Sequence, residues 1–236
     1  MSKQEAQWLL EQQQLKTKLS LEDSDKFLDP ARDLVAGVDI SFIKGDHINA
    51  CAGLVVLDPT LEVVYQECRM VKLTQPYLPG FLAFREVEHL VQLVENCPLR
   101  SRIKVIMVDG NGILHPNGFG LASHLGVLVE LPTIGVGKNL HQLPDLTTTS
   151  ALIKAQMAQA PVHTHQPLVG QTGQVYGAAL IPAAGVSSPI FVSVGHSISL
   201  SSALQLTIAY SRYRVPEPVR KADQNTRSYL RKQQCV

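Results

Sequence analysis

"IKVIMVDGNGILHPNGFGLASHLGVLVELPTIGVG", residues 103–137, decides the fold. An apolar run of strand length stops at Asp109, a glycine-rich loop follows, and the helix-like stretch "GLASHLGVLVEL" carries the chain to a second apolar run, "TIGVG". Strand, helix and strand in that order favour parallel neighbours in one sheet, because a parallel pair needs a crossover. An aspartate before a glycine is first of all a turn signal. It also stands where open α/β sheets gather their ligands, beyond the carboxyl ends of the strands.

Upstream, "LVAGVDISF", "INACAGLVVLD" and "LEVVYQECRMV" are separated only by "KGDH" and "DPT", turns of hairpin length that predict an antiparallel meander. The Pro/Gly hinge "QPYLPG" then leads into a predicted helix from Phe81 to about Asn96. Downstream, residues 139–170 lose all periodicity and are expected to wrap the surface with one short helix. Two further strands, "QVYGAAL" and "PIFVSVG", precede a helix from Ser199 to Tyr213 and a basic helix from Val219. The expectation is an α/β fold: a mixed sheet, antiparallel meander plus parallel strands, flanked by helices. It forms a single domain over residues 31–236, preceded by a polar N-terminal helix and the acidic linker "LEDSDKFLDP" in residues 1–30.

Composition narrows the class. A chain of 236 residues that is 45% hydrophobic and 17% charged can bury one large core. The formal net charge is +1, yet Arg212 to Lys232 holds seven Lys/Arg against two acids, a basic tail on a mildly acidic body. Such a tail is either a phosphate-tracking element or a solvated face. Cys51, Cys68, Cys97 and Cys235 show no C-x-x-C spacing, so they read as reduced thiols rather than a zinc site or disulfide framework. With no signal-peptide core and no run near the ~18 apolar residues of a membrane span, the expectation is a soluble, monomeric protein of the cytoplasm and nucleus, without membrane contact.

Two more carboxylates fall where packing would not put them. On a helical wheel Glu86 is the only charge in an arc of Leu82, Ala83, Val87, Leu90 and Val94, and burying a lone carboxylate costs several kcal/mol unless it is compensated. It either pairs with a buried cation or joins a site. In "VAGVDISF", alternation sends Val38, Ile40 and Phe42 to one face and Asp39, with Gly37 and Ser41, to the other. Asp39 is therefore either a half-solvated strand residue or a ligand. If its strand neighbours that of Asp109 and the helix crosses nearby, the three acids converge. Asp223, at the edge of the stripe Val219, Ala222, Thr226, Tyr229 and Leu230, is either a fourth ligand or a surface partner of Arg220 or Arg227. Carboxylates without His or Cys in ligand spacing suit a hard cation, Mg²⁺ or Mn²⁺, and so phosphoryl chemistry.

"GVDISF", "PYLPGFLAFRE", "VDGNGILHPNGFGLASHLGV", "LPTIGVGK", "VGHSISL" and "YRVPEPVRKAD" follow one another from about residue 35 to 225 and resemble the successive motifs of the endonuclease V family. The resemblance implies a ribonuclease H-like fold and Mg²⁺-dependent cleavage of the second phosphodiester bond 3′ to inosine or deoxyinosine, leaving a 3′-hydroxyl and a 5′-phosphate. "GFLAFRE" and "SVGHSISL" look most like animal members, which favour inosine in single-stranded RNA; deoxyinosine DNA is the second substrate.

The same resemblance makes Asp39, Glu86, Asp109 and Asp223 the metal carboxylates, with Asp223 standing where some bacterial members carry histidine. Tyr77 becomes the aromatic wedge filling the gap left by an extruded base, and Lys138 in "GVGK" the active-site lysine. Pro79 follows the bacterial rather than the animal spelling. The substrate-binding set is completed by Gly80, Leu82, Gly112, His115 and Gly120, the glycines as close walls that exclude the 2-amino group of guanine and His115 as a wall or hydrogen-bond partner. Lys138 is no P-loop lysine, since Pro132 and Asn139 break the Walker pattern. Two other classes remain: a module that binds inosine without cutting, which would have no use for buried acids that repel phosphate, and an acyl hydrolase, for which no G-x-S-x-G elbow exists.

Overall fold

The computed structural model describes residues 2–24, 33–46 and 48–234; Cys235, His47 and the end of the acidic linker lie outside them. Helix α1 spans Lys3–Lys16, and strands β1 (Leu34–Phe42), β2 (Asn49–Leu57) and β3 (Val63–Lys72) form the expected meander. Then come α2 (Ala83–Glu95), β4 (Ile103–Asp109), α3 (Leu121–Val129), β5 (Thr133–Gly137) and α4 (Ser150–Met157). The chain closes with β6 (His165–Val169), β7 (Val175–Leu180), β8 (Ile190–His196), α5 (Leu200–Ala209) and α6 (Glu217–Gln234).

The eight strands form one mixed sheet in the order β3-β2-β1-β4-β5-β8-β7-β6. Strand β4 runs parallel to both β1 and β5, as the βαβ pattern predicts, while every other pairing is antiparallel. This is the ribonuclease H-like mixed sheet flanked by helices that the sequence led us to expect.

Alternation in the strands builds two cores. Leu34, Ala36 and Val38 of β1 join Ala52, Leu54 and Ile106 under Val87, Leu90 and Leu125 of α2 and α3. Val35, Val55 and Met107 point the other way, toward Ala203 and Leu204 of α5 and Val219 and Ala222 of α6. Each fully buried Leu or Val contributes about 1.5–3 kcal/mol relative to exposure. A third, smaller core around Leu114, Ile153, Leu168 and Phe191 seats α4.

Helix α6 sits unusually close to the sheet. A Cβ on Gly37 would overlap the carbonyl of Pro218, and one on Gly53 would overlap the Thr226 methyl, so glycine at these two strand positions lets the helix backbone touch β1 and β2. Pro216 and Pro218 suit its start, where helical N–H groups lack partners anyway.

The stretch 139–170 departs from expectation. It contains the short helix but also β6, an edge strand that makes the sheet one strand wider than the sequence suggested. Pro167 and the single fully buried residue, Leu168, hide its alternation, and proline is tolerated there because an edge strand leaves one side unpaired. Helix α5 is also shorter than expected, though Ser199 caps it by accepting from the Ser202 amide.

Candidate metal and nucleic-acid site

The parallel pairing of β1 with β4 brings Asp39 and Asp109 to one edge of the sheet, and the close seat of α6 delivers Asp223 to the same place. One carboxylate oxygen from each of the three lies within 4.8 Å of the others. With Ser41, Lys138 and Arg227 they line a cleft of about 330 Å³. Asp39 is not the half-solvated strand residue its alternation allowed: it is 7% exposed beneath α6. Its Oδ2 accepts from the hydroxyls of Thr226 at 2.8 Å and Ser41 at 3.0 Å.

Crowding of like charges in a buried place shows in the protonation equilibria. Burial, then the neighbouring Asp109, pushes Asp39 from an ordinary 3.8 to about 6 despite the two hydroxyls that favour its charged form. Glu86, 5% exposed on the inner face of α2, stands outside the oxygen triad but within its field. Burial and then Asp39 push it from 4.5 to about 8, with only Arg85 opposing. Arg85, the preceding residue, eases its ionisation without offsetting the burial.

Two more charges meet the cleft. Asp223 joins the triad and also accepts from Arg227 Nε at 2.8 Å, one turn along α6. Lys138, directly after β5, bridges Asp109 through its Nζ, and its own carbonyl accepts from Arg214 at 2.6 Å. An all-oxygen donor set of three close carboxylates, with a fourth behind, is the chemistry that a hard divalent cation requires.

The base-binding candidates surround a second locus on the α2 side of the sheet. Tyr77 is 65% exposed in the loop before α2, with Pro79 and Leu82 also exposed and Gly80 at φ +82°. Arg85 of α2 donates to the Gln75 carbonyl at 2.8 Å and ties that loop down. His115 accepts at Nδ1 from the Asn117 amide, which places its proton on Nε2 as a donor. Burial, and next the stacked His141 with ring centroids 6.1 Å away, lowers it to about 4 and keeps it neutral.

Gly112 and Gly120, expected as close walls of the base pocket, are packed within the loop itself. Both are buried, and their missing side chains make room for the Val194 and Asn111 carbonyls, so they pack the loop against β8 and against itself. His196 lies at the other end of β5 from Lys138. It pairs with Thr133 at the far end of β5 and accepts from the Ser20 amide.

What the sequence did not show is how the loop 111–120 is held. Trp8 of α1 stacks on Phe84 at 5.0 Å and 7°. The buried Gln12 donates to the Phe119 carbonyl at 2.8 Å and accepts from Asn117 Nδ2 at 2.7 Å. Lys16 adds a bond to the Asn117 carbonyl at 2.9 Å. An amide that satisfies two loop groups at once has no substitute among smaller side chains. Gln12→Ala therefore strands buried polar groups at about 1–3 kcal/mol. We expect it to loosen the loop 111–120, read by amide hydrogen exchange, with unchanged exchange contradicting the bracing role.

Comparison with known proteins agrees with this geometry. The family model described as Endonuclease V matches residues 13–224. Human Endonuclease V is 47% identical over 95% of this chain and 83% of its own length. The crystal structure of the catalytic domain of the human protein superposes with a TM-score of 0.92 at 46% identity, covering 99% of this chain and 98% of that one. Endonuclease V of Ciona intestinalis, in complex with a 24mer DNA containing an inosine followed by a ribo-adenosine, superposes with a TM-score of 0.88 at 32% identity over 98% and 99% of the two chains.

Proposed function

The chain belongs to the endonuclease V family, and we propose that it is a divalent-metal-dependent nuclease acting on inosine, with single-stranded RNA preferred and deoxyinosine DNA as a second substrate. The cut falls at the second phosphodiester bond 3′ to the modified base, leaving a 3′-hydroxyl and a 5′-phosphate. The observation that carries this reading is the convergence of Asp39, Asp109 and Asp223 within 4.8 Å at the strand ends, beside Lys138. A relative bound to an inosine-containing strand supports the choice of base.

Asp39, Asp109 and Asp223, with Glu86 behind them, would hold Mg²⁺ or Mn²⁺. The ion when bound supplies Lewis-acid polarisation of a phosphoryl oxygen and a more acidic water. The chain's own residues do the positioning. Ser41 and Thr226 fix the Oδ2 of Asp39, Arg227 fixes Asp223, and Lys138 sets a positive charge at the cleft where the scissile phosphate arrives. Glu86 as arranged holds a proton at neutral pH.

Recognition follows from the second locus. Extruding a base costs a few kcal/mol when it is paired and less when it is not, which favours a single strand. An exposed Tyr77 returns about 1–3 kcal/mol by stacking. The Nε2–H of neutral His115 suits the 6-oxo acceptor of hypoxanthine, which adenine lacks.

The test compares matched RNA and DNA single strands, each with one inosine, in Mg²⁺, in Mn²⁺ and in excess chelator. Metal-dependent cutting of both, faster on RNA, is expected. Turnover in chelator would overturn the metal role, and faster cutting of DNA would overturn the RNA preference.

A further inference from the structure

The cleft does not end at its carboxylates. Phe42, the last residue of β1, is 47% exposed, and together with Arg227 it lines both the cleft and an adjoining open groove of about 360 Å³. The groove is completed by Ile43, Lys44, Leu230 and Arg231, and no acid among the described residues lines it. Arg227 is held by Asp223, and Arg231 Nε by the Arg227 carbonyl at 3.3 Å, so the α6 cations are tethered along the helix. A lone exposed phenylalanine is unremarkable. Placed among three cations and continuous with a phosphate-cutting cleft, it has the makeup of a stacking platform beside a backbone track.

Position gives the groove its occupant. The loop that carries Tyr77 is tied to α2, on one side of the sheet, whereas the groove is built on α6, which covers the other. The carboxylates lie between them at the strand ends. A strand with its modified base at Tyr77 and His115 and its scissile phosphate at the carboxylates runs on into the groove.

Resting on the function proposed above, we infer that Phe42, Lys44 and Arg231 form a subsite for the single strand on the 3′ side of the cut, stacking one unpaired base on Phe42 and seating backbone phosphates on Lys44 and Arg231. A paired base has no free face to offer Phe42 in this way, so the groove adds its own preference for unpaired substrate.

The experiment uses the full chain and a ladder of oligoribonucleotides with one inosine, lengthened separately on the 5′ and 3′ sides. Wild-type kcat/KM should rise about tenfold as the 3′ arm grows from about two to about six nucleotides, in line with the worth of one stacked base. In the triple variant Phe42→Ala, Lys44→Ala, Arg231→Ala this length dependence should vanish to within about twofold, whereas Phe42→Trp alone should keep it. The slope of log affinity against log salt should fall by about 1.4 in the triple variant, two phosphate contacts on a single strand. An unchanged 3′ length dependence in the triple variant, or a wild-type gain on the 5′ arm alone, would overturn the subsite while leaving the nuclease reading intact. Failure to cut any member of the ladder would overturn that reading and the subsite with it.

Discussion

Asp109→Asn should leave the protein folded and lower metal-dependent cleavage of an inosine-containing strand by about a thousandfold or more, the scale on which a preorganised charge acts at a reacting centre. The same holds for Asp39→Asn. Both keep side-chain volume, and the Asp39 amide retains an oxygen for the Thr226 and Ser41 hydroxyls. Because burial and Asp109 already hold Asp39 near 6, removing its charge relieves a repulsion, and thermal unfolding of Asp39→Asn should occur no lower than that of wild type. Loss of activity with retained or raised stability separates a site carboxylate from a structural one. Thr226→Val, which removes only the hydroxyl beside Asp39, should cost about 10–100-fold. Wild-type turnover by Asp109→Asn would sink the assignment.

Divalent ions should stabilise the fold, and more so as pH rises. Asp39 and Glu86 have folded values near 6 and 8, above their ordinary 3.8 and 4.5. Between those limits the folded chain binds more protons than the unfolded one, so stability falls as pH climbs through the window. His115 and His124 act oppositely. Burial lowers both to about 4, so their contribution is present above the ordinary 6.5 and lost as pH drops toward 4. The two effects oppose each other below 6.5, and from 6.5 to 8 the glutamate acts without the histidines. In that interval the melting temperature without metal should fall, and Glu86→Gln should flatten the fall. Ligation needs deprotonated carboxylates, so saturating Mn²⁺ or Mg²⁺ should raise the melting temperature by more at pH 8 than at 6.5. At a hundred times Kd the gain is about 2.7 kcal/mol, or roughly 5–10 °C for a chain of this size. Equal shifts at both pH values would contradict it.

The carboxylates were legible because each broke a local pattern. Glu86 interrupts an apolar helical arc, Asp39 faces away from its apolar neighbours, and Asp109 ends a buried strand. Asp223 was ambiguous because it lies at the edge of its stripe, and in the structure its carboxylate both meets those of Asp39 and Asp109 and accepts from Arg227. Thr226 was read only as part of that stripe, since a threonine among apolar residues carries no sign that its hydroxyl reaches a strand 187 residues away. Helix α1 was illegible as a brace for a related reason. It buries only Trp8 and Gln12, so no periodic face marks it, and the loop it holds lies about a hundred residues downstream. Strand β6 escaped because a proline and a single buried leucine do not alternate.

The flush seat of α6 against Gly37 and Gly53 also orders events during synthesis. Asp39 leaves the ribosome well before Asp223, so a nascent chain carries an incomplete set of acids until α6 has emerged. Assembly of the three acids therefore waits for α6 to dock, however early the strands that carry the other two have formed.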